Sequence, residues 1–251
     1  MTRLAIIGGS GFSDFAALDE VVSQPMETPY GETSAALARG QLAGVDVLFL
    51  PRHGASHHLP PHRINYRANL WALRAAGADA VVGLAAVGGI TPDFGPLTLA
   101  VPHDLIDYTH GRAHTLYDGE GAGVDHVDMS APYCETLRLA LLRACAACGE
   151  AVVDHGVYGA TQGPRLETPA EILRLQRDGC DLVGMTGMPE AALARELGLC
   201  YASFAFVVNW SAGKEDRPIT MDEIRENLHR CTGRIERVLG ALAATSSRLS
   251  T

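Results

Sequence analysis

Short apolar runs recur along the chain with amphipathic stretches between them. The runs LAIIGG (4–9), VDVLFLPRHG (45–54), DAVVGLAAVGG (79–89), LTLAVPHDLID (97–107), EAVVDHGVYGATQG (150–163), CDLVGMT (180–186) and LCYASFAFVVNW (199–210) have the length of strands. They are continuous rather than alternating, the pattern of strands covered on both faces. Apolar positions return with a helical period over 65–76, 132–148, 168–178, 188–197 and 221–244. Thr168 and Glu171 form a T-x-x-E capping box with Pro169 between them, which sets a helix start. MPEAALARELG carries Pro189 near its first turn and Gly198 at its end, the expected punctuation. The alternation predicts an α/β fold: one domain over residues 1–251, a central mixed sheet and helices on both faces. ATSSRLST at the C-terminus reads as a frayed tail.

Composition narrows the partners. The chain has 251 residues, 47% hydrophobic and 20% charged, ample for a sizeable core. A formal charge of −9 argues against a broad nucleic-acid or anionic-membrane surface, although a small anion needs only a few local donors. No apolar segment approaches the ~20 residues of a membrane span. The run before the first glycines is too short for a signal peptide. Cys145 and Cys148 form a lone C-x-x-C inside a helical pattern and read as small buried hydrophobes, which suits a reducing cytoplasm.

The candidate chemistry sits where apolar runs end, the place at which open α/β sheets bind ligands. IIGGSGF (6–12) offers exposed backbone N–H groups and the Ser10 hydroxyl, a cradle for an anion. A tight turn would use the same glycines. A dinucleotide fold would need G-x-G-x-x-G, and Asp14 stands where the last glycine should be. Pro51-Arg52-His53-Gly54 places a guanidinium directly after a strand, with His53 as an added donor. The following SHHLPPHR, with His57, His58, His62 and Arg63, reads as a solvated or interface loop, and no cluster at metal-ligand spacing accompanies it. In LAAVGG (84–89) the small residues, Ala85 and Ala86 among them, let backbone N–H groups reach an anion. In GMTGMPE (184–190) Thr186 either caps the next helix or donates to an anion there, with Met185 beside it. Ser10, Arg52, His53, Ala85, Ala86 and Thr186 together would make one phosphate site.

These segments, with TPYG and the later serine, NYRANLWAL, GPRLETPAE, VGMTGMPEAALARE and CYASFAFVVNW, resemble the purine nucleoside phosphorylase / methylthioadenosine phosphorylase family over nearly the whole chain. The resemblance implies phosphate-dependent cleavage of a purine N-glycosidic bond in a homotrimer whose active sites lie near subunit interfaces. It implies no metal and no organic cofactor, inorganic phosphate being a co-substrate.

The base end can then be read residue by residue. Adenine-cleaving members of the family carry acids at the positions of Asn209 and Ser211. An amide can instead donate to a purine O6 while its oxygen accepts from a protonated N7. That donation strengthens as the departing purine gains charge. Glu167 matches the 6-oxopurine members, where a carboxylate accepts N1–H, a proton adenine lacks; a charge near a helix N-terminus would also explain it. Asn209, Glu167 and His53 are the expected catalytic groups, with Leu166, Met185, Trp210 and Ser211 as neighbours of the substrate. Leu166 departs from the aromatic residue usual there, which weakens base stacking. At the sugar end, Met221 stands where ribose-specific relatives place a histidine, with Ile224 one turn on, and a thioether suits a 5′-methylthio group. Plain core packing would use the same two residues. His126 matches a family histidine that reaches the 5′ end of a neighbouring subunit. Together the two ends predict a 6-oxopurine on a methylthioribose. The rivals are a general inosine/guanosine phosphorylase, an adenine-specific enzyme, a silent nucleoside-binding protein and, against the glycine pattern, a dehydrogenase.

Overall fold

A computed structural model describes residues 3–13, 15–119 and 123–245. Asp14 and the last six residues of the expected tail lie outside these, while Ala244 and Thr245 close the final helix.

The described residues form an eleven-stranded mixed sheet. Its axis is β5 (Ala80–Gly89), flanked by β1 (Leu4–Gly8) and β11 (Cys200–Trp210), both parallel to it. β4 (Val45–Pro51) extends the parallel set beyond β1. These are the continuous apolar runs of the sequence, and β1 is buried at every position. Helices α1 (Tyr66–Ala75) and α4 (Gly187–Glu196) cover one face; α2 (Glu135–Ala147) and α5 (Met221–Thr245) cover the other. Two large apolar clusters fill the layers, one around Ile6, Phe206, Leu141 and Leu239, the other around Ile7, Leu70, Leu193 and Val207. α3 (Pro169–Arg177) closes a third, smaller cluster with Ile172 and Leu175, and its Thr168–Glu171 capping box is fully formed.

β5 changes neighbours along one edge. Residues 80–83 pair with β1, while Gly88 and Gly89 pair antiparallel with β10 (Leu182–Gly184). Residues 84–87 between them have a strand partner on the β11 side alone. The sheet therefore opens at its centre, where the chain switches direction, and LAAVGG is the second half of the strand read over 79–89.

Other differences from the sequence reading have local causes. The runs 97–107 and 150–163 are each broken, into β6 (Leu99–Ala100) and β7 (Asp104–Asp107), and into β8 (Val152–Val153) and β9 (Val157–Ala160). Pro102 interrupts the first and Gly156, at φ +120°, the second. β2 (Asp19–Gln24) and β3 (Leu37–Leu42) form an antiparallel edge with no continuous apolar run, β2 being exposed over nearly its whole length. Cys134 and Cys200, 66 residues apart, are joined in a disulfide that tethers the start of α2 to the start of β11, whereas Cys145, Cys148, Cys180 and Cys231 are free. No described helix is long and apolar enough to cross a membrane.

Candidate active site

The opening beside β5 leads into a cavity of about 440 Å³. Ser10, Arg52, His53, Ala85, Ala86, Leu166, Glu167, Met185, Thr186, Asn209, Ser211 and Met221 all line it, so residues scattered across the sequence meet at the C-terminal ends of neighbouring strands. The backbone brings the first of them together: Gly8 pairs with Pro51, and the Arg52 N–H donates to the Gly8 carbonyl at 2.9 Å.

At the anion end Arg52 is 1% exposed. Its Nε and Nη2 donate to the two oxygens of Glu190 at 2.8 and 2.7 Å, and Nη1 donates to the Leu84 carbonyl at 2.8 Å. Burial opposes the guanidinium charge, but the Glu190 carboxylate outweighs it and keeps Arg52 protonated. Gly9 has to be glycine here, because a Cβ would lie 2.8 Å from the Leu84 oxygen and 3.0 Å from Arg52 Nη1. His53 Nδ1 donates to the Leu59 carbonyl at 2.8 Å. Burial and then the Arg52 charge push its pKa down to about 4. His53 is thus neutral near pH 7 with Nε2 as an acceptor, a partner for a protonated oxygen or a hydroxyl rather than the added donor read from the sequence.

Thr186 lines the same end, but the cap expected of it is not formed. Its side chain makes no capping bond, and Met188 at φ −122°, ψ 141° breaks the helical path before the regular turns of α4. His57 and His58, read from the sequence as solvated, are exposed and also line the cavity wall with Leu59, Pro60 and Pro61.

At the other end Thr161 Oγ1 donates to Glu167 Oε1 at 2.6 Å. Burial pushes the Glu167 carboxyl above its ordinary range, with the Thr161 hydroxyl pulling the other way. Asn209 sits just past a register shift in the β11–β5 pairing, which falls between Val207 and Asn209. Asn227 of α5 ties the preceding Val208 carbonyl at 2.9 Å, and Asn209 Nδ2 donates to the Trp210 carbonyl at 2.7 Å. Ser211 Oγ is buried without a hydrogen-bond partner. Trp210 does not line the cavity; its indole lies against Gly95, because a strand turns successive side chains to opposite faces. Ile219, Met221, Ile224 and Leu228 give the cavity an apolar wall. His126 is exposed and takes no part in this cavity.

Glu190 and Thr161 were missing from the candidates drawn from sequence. Glu190 stands in PEAALARE as an ordinary first-turn acid, and nothing local marks it as buried against an arginine 138 residues away. Among the described residues no group of three His, Cys, Asp or Glu could hold a metal ion.

One cavity thus brings together the Arg52 guanidinium paired with Glu190, Ser10 and Thr186, the Asn209 amide and the Glu167 carboxyl, a set of groups able to hold an anion and a second polar ligand. The family model of the phosphorylase superfamily matches residues 3–244, and the chain belongs to that superfamily. It is 54% identical over 246 residues to a probable S-methyl-5′-thioinosine phosphorylase of Pseudomonas syringae pv. tomato, covering 98% of this chain and 100% of that one. A purine nucleoside phosphorylase of Streptomyces coelicolor is 46% identical, with 98% and 91% covered. Among solved structures, methylthioadenosine phosphorylase from Schistosoma mansoni in complex with adenine superposes with a TM-score of 0.95 at 31% identity, covering 99% of this chain and 93% of that one.

Proposed function

We propose that the protein cleaves S-methyl-5′-thioinosine with inorganic phosphate, releasing hypoxanthine and 5-methylthioribose 1-phosphate. The observation that carries this reading is that one cavity is lined by Arg52, bonded at Leu84 of β5, and by Asn209, paired with Gly88 further along β5, together with Glu167. Phosphate held by Ser10, Arg52 and Thr186 beneath the sugar attacks the anomeric carbon as the bond to purine N9 breaks. The bonding electrons go to the purine. The Asn209 amide donates to O6, N7 takes up a proton from solvent and the Asn209 oxygen accepts that N7–H, and Glu167 accepts N1–H. The donation to O6 strengthens as the purine gains negative charge and so lowers the barrier, while the bonds accepted from N7–H and N1–H select the base. No nucleophilic side chain is required, and position and electrostatics supply the acceleration.

The preference for a methylthio group over a hydroxyl is supported by the apolar wall of Ile219, Met221, Ile224 and Leu228, which offers a 5′-hydroxyl no partner. The Pseudomonas relative, whose name specifies this substrate, supports the same reading. Phosphate is the co-substrate, with no metal or organic cofactor. A cytoplasmic homotrimer, with His126 of one subunit completing the 5′ end of the next, belongs to the same proposal.

Progress curves for methylthioinosine, inosine and methylthioadenosine, run in parallel with and without phosphate, test it. Methylthioinosine should be cleaved fastest, and only with phosphate. Equal rates on inosine would make the protein a general 6-oxopurine phosphorylase instead.

A further inference from the structure

Glu190 is wholly buried and does not line the cavity, yet it holds the one guanidinium among the described residues that does. An arginine has five N–H donors. Two go to Glu190 and one to the Leu84 carbonyl, which leaves one N–H on each terminal nitrogen of Arg52 for a ligand. The carboxylate is fixed in turn: the Tyr201 hydroxyl donates to Glu190 Oε2 at 2.8 Å. Gly83 makes room for this contact, since a Cβ there would lie 2.2 Å from the Tyr201 oxygen and 2.8 Å from Glu190 Oε2. The Tyr201 ring lies beside Tyr133 with centroids 6.1 Å apart, and both rings are buried.

We propose that Glu190 and Tyr201 are positioning residues that aim the two remaining N–H groups of Arg52 at the phosphate, so that the anion is bound by direction rather than by net charge. The pair Arg52–Glu190 is electrically neutral, and His53 beside it is neutral as well. Attraction at long range is weak in such a site, whereas aligned donors at contact distance are strong. The connectivity gives the device a second consequence. Glu190 follows Thr186 by four residues, and Tyr201 lies on β11, the strand that carries Asn209 near its end. The elements that carry the anion and base contacts therefore also carry the brace.

The inference rests on phosphate being the co-substrate, and the test keeps the two apart. KM for phosphate and for methylthioinosine would be measured separately on the full-length wild type, Glu190→Gln and Tyr201→Phe. Glu190→Gln turns an amide N–H toward an arginine N–H and loses the aim; KM for phosphate should rise about tenfold or more with a fall in kcat. KM for the nucleoside should stay within about twofold, a split that a general loss of structure would not produce. Tyr201→Phe, which keeps the ring and removes one bond, should move phosphate KM in the same direction by less. An unchanged phosphate KM in Tyr201→Phe overturns the proposal even if Glu190→Gln does not fold. A lowered phosphate KM in Glu190→Gln also overturns it, because net charge would then govern binding. A wild type that cleaves its substrate without phosphate would instead sink the functional reading itself.

Discussion

The two ends of the cavity are built on opposite plans. At the anion end every long side chain is braced by protein: Arg52 by Glu190 and Leu84, His53 by Leu59, Glu190 by Tyr201. At the base end the groups are sparsely bonded. Ser211 Oγ has no partner, Asn209 reaches the carbonyl of its own neighbour, Glu167 takes the Thr161 hydroxyl, and Leu166 stands 42% exposed. A braced donor cannot adapt, which suits a ligand whose shape never varies. An unsatisfied polar group instead rejects any ligand that fails to complete it, because the wrong partner leaves a buried group unpaired. Rigidity at one end and incompleteness at the other thus separate the reaction from the choice of substrate.

Removing the braced cation should have the largest effect. Arg52→Met leaves Glu190 as a buried carboxylate without its counter-charge, a change that costs about 3–5 kcal/mol of stability. It also removes aimed phosphate donors, so turnover should fall on the order of 10²–10³-fold. Thermal unfolding and phosphate saturation curves would show both losses together. A variant that kept its melting temperature would mean that the anion end is no more tightly braced than the base end. Asn209→Asp should separate the two effects. The side chain's one protein bond is local, so stability should change little, while a carboxylate opposed to O6 should lower kcat/KM for methylthioinosine by about 10–100-fold. Phosphate KM should hold steady. Full retention of the 6-oxopurine preference in this variant would break the assignment of the base end.

The same division explains what the sequence disclosed. β1, β4, β5 and β11 are buried on both faces, so their composition is legible as unbroken apolar runs, and a polar residue just past such a run stands out. Ser10, Arg52, Thr186 and Asn209 were all legible in that way. β2 is an exposed edge strand and β3 beside it is only half buried, so neither left an unbroken apolar run to read. Glu190 was hidden because its importance is a long-range contact, and an acid in a first helical turn has an adequate local explanation. The Cys134–Cys200 bond was hidden for the same reason, neither cysteine having a spacing that points to the other. Trp210 failed for a geometric reason: adjacency to Asn209 in a strand means facing away from it. The substrate preference came from family resemblance at Glu167, Asn209 and Met221, since composition alone cannot tell an amide that reads a base from one that caps a turn.

The smallest change sharpens the comparison most directly. Leu166 lies at the mouth of the base end, next to Glu167, and much of its side chain faces outward. If the base end is incomplete by design, it should accept improvement that the braced end would not. Leu166→Phe offers a ring face to the purine where the leucine offers only methyl groups. Stacking of this kind contributes about 0.5–1.5 kcal/mol beyond area burial, so KM for methylthioinosine should drop about two- to tenfold. Because the side chain is exposed and makes no bond to Arg52, Glu190 or Tyr201, phosphate KM and melting temperature should not move. Separate titrations of the two substrates would read this. A phosphate KM that shifted along with the nucleoside's would show that the ends are coupled, and that the division between them is only one of exposure.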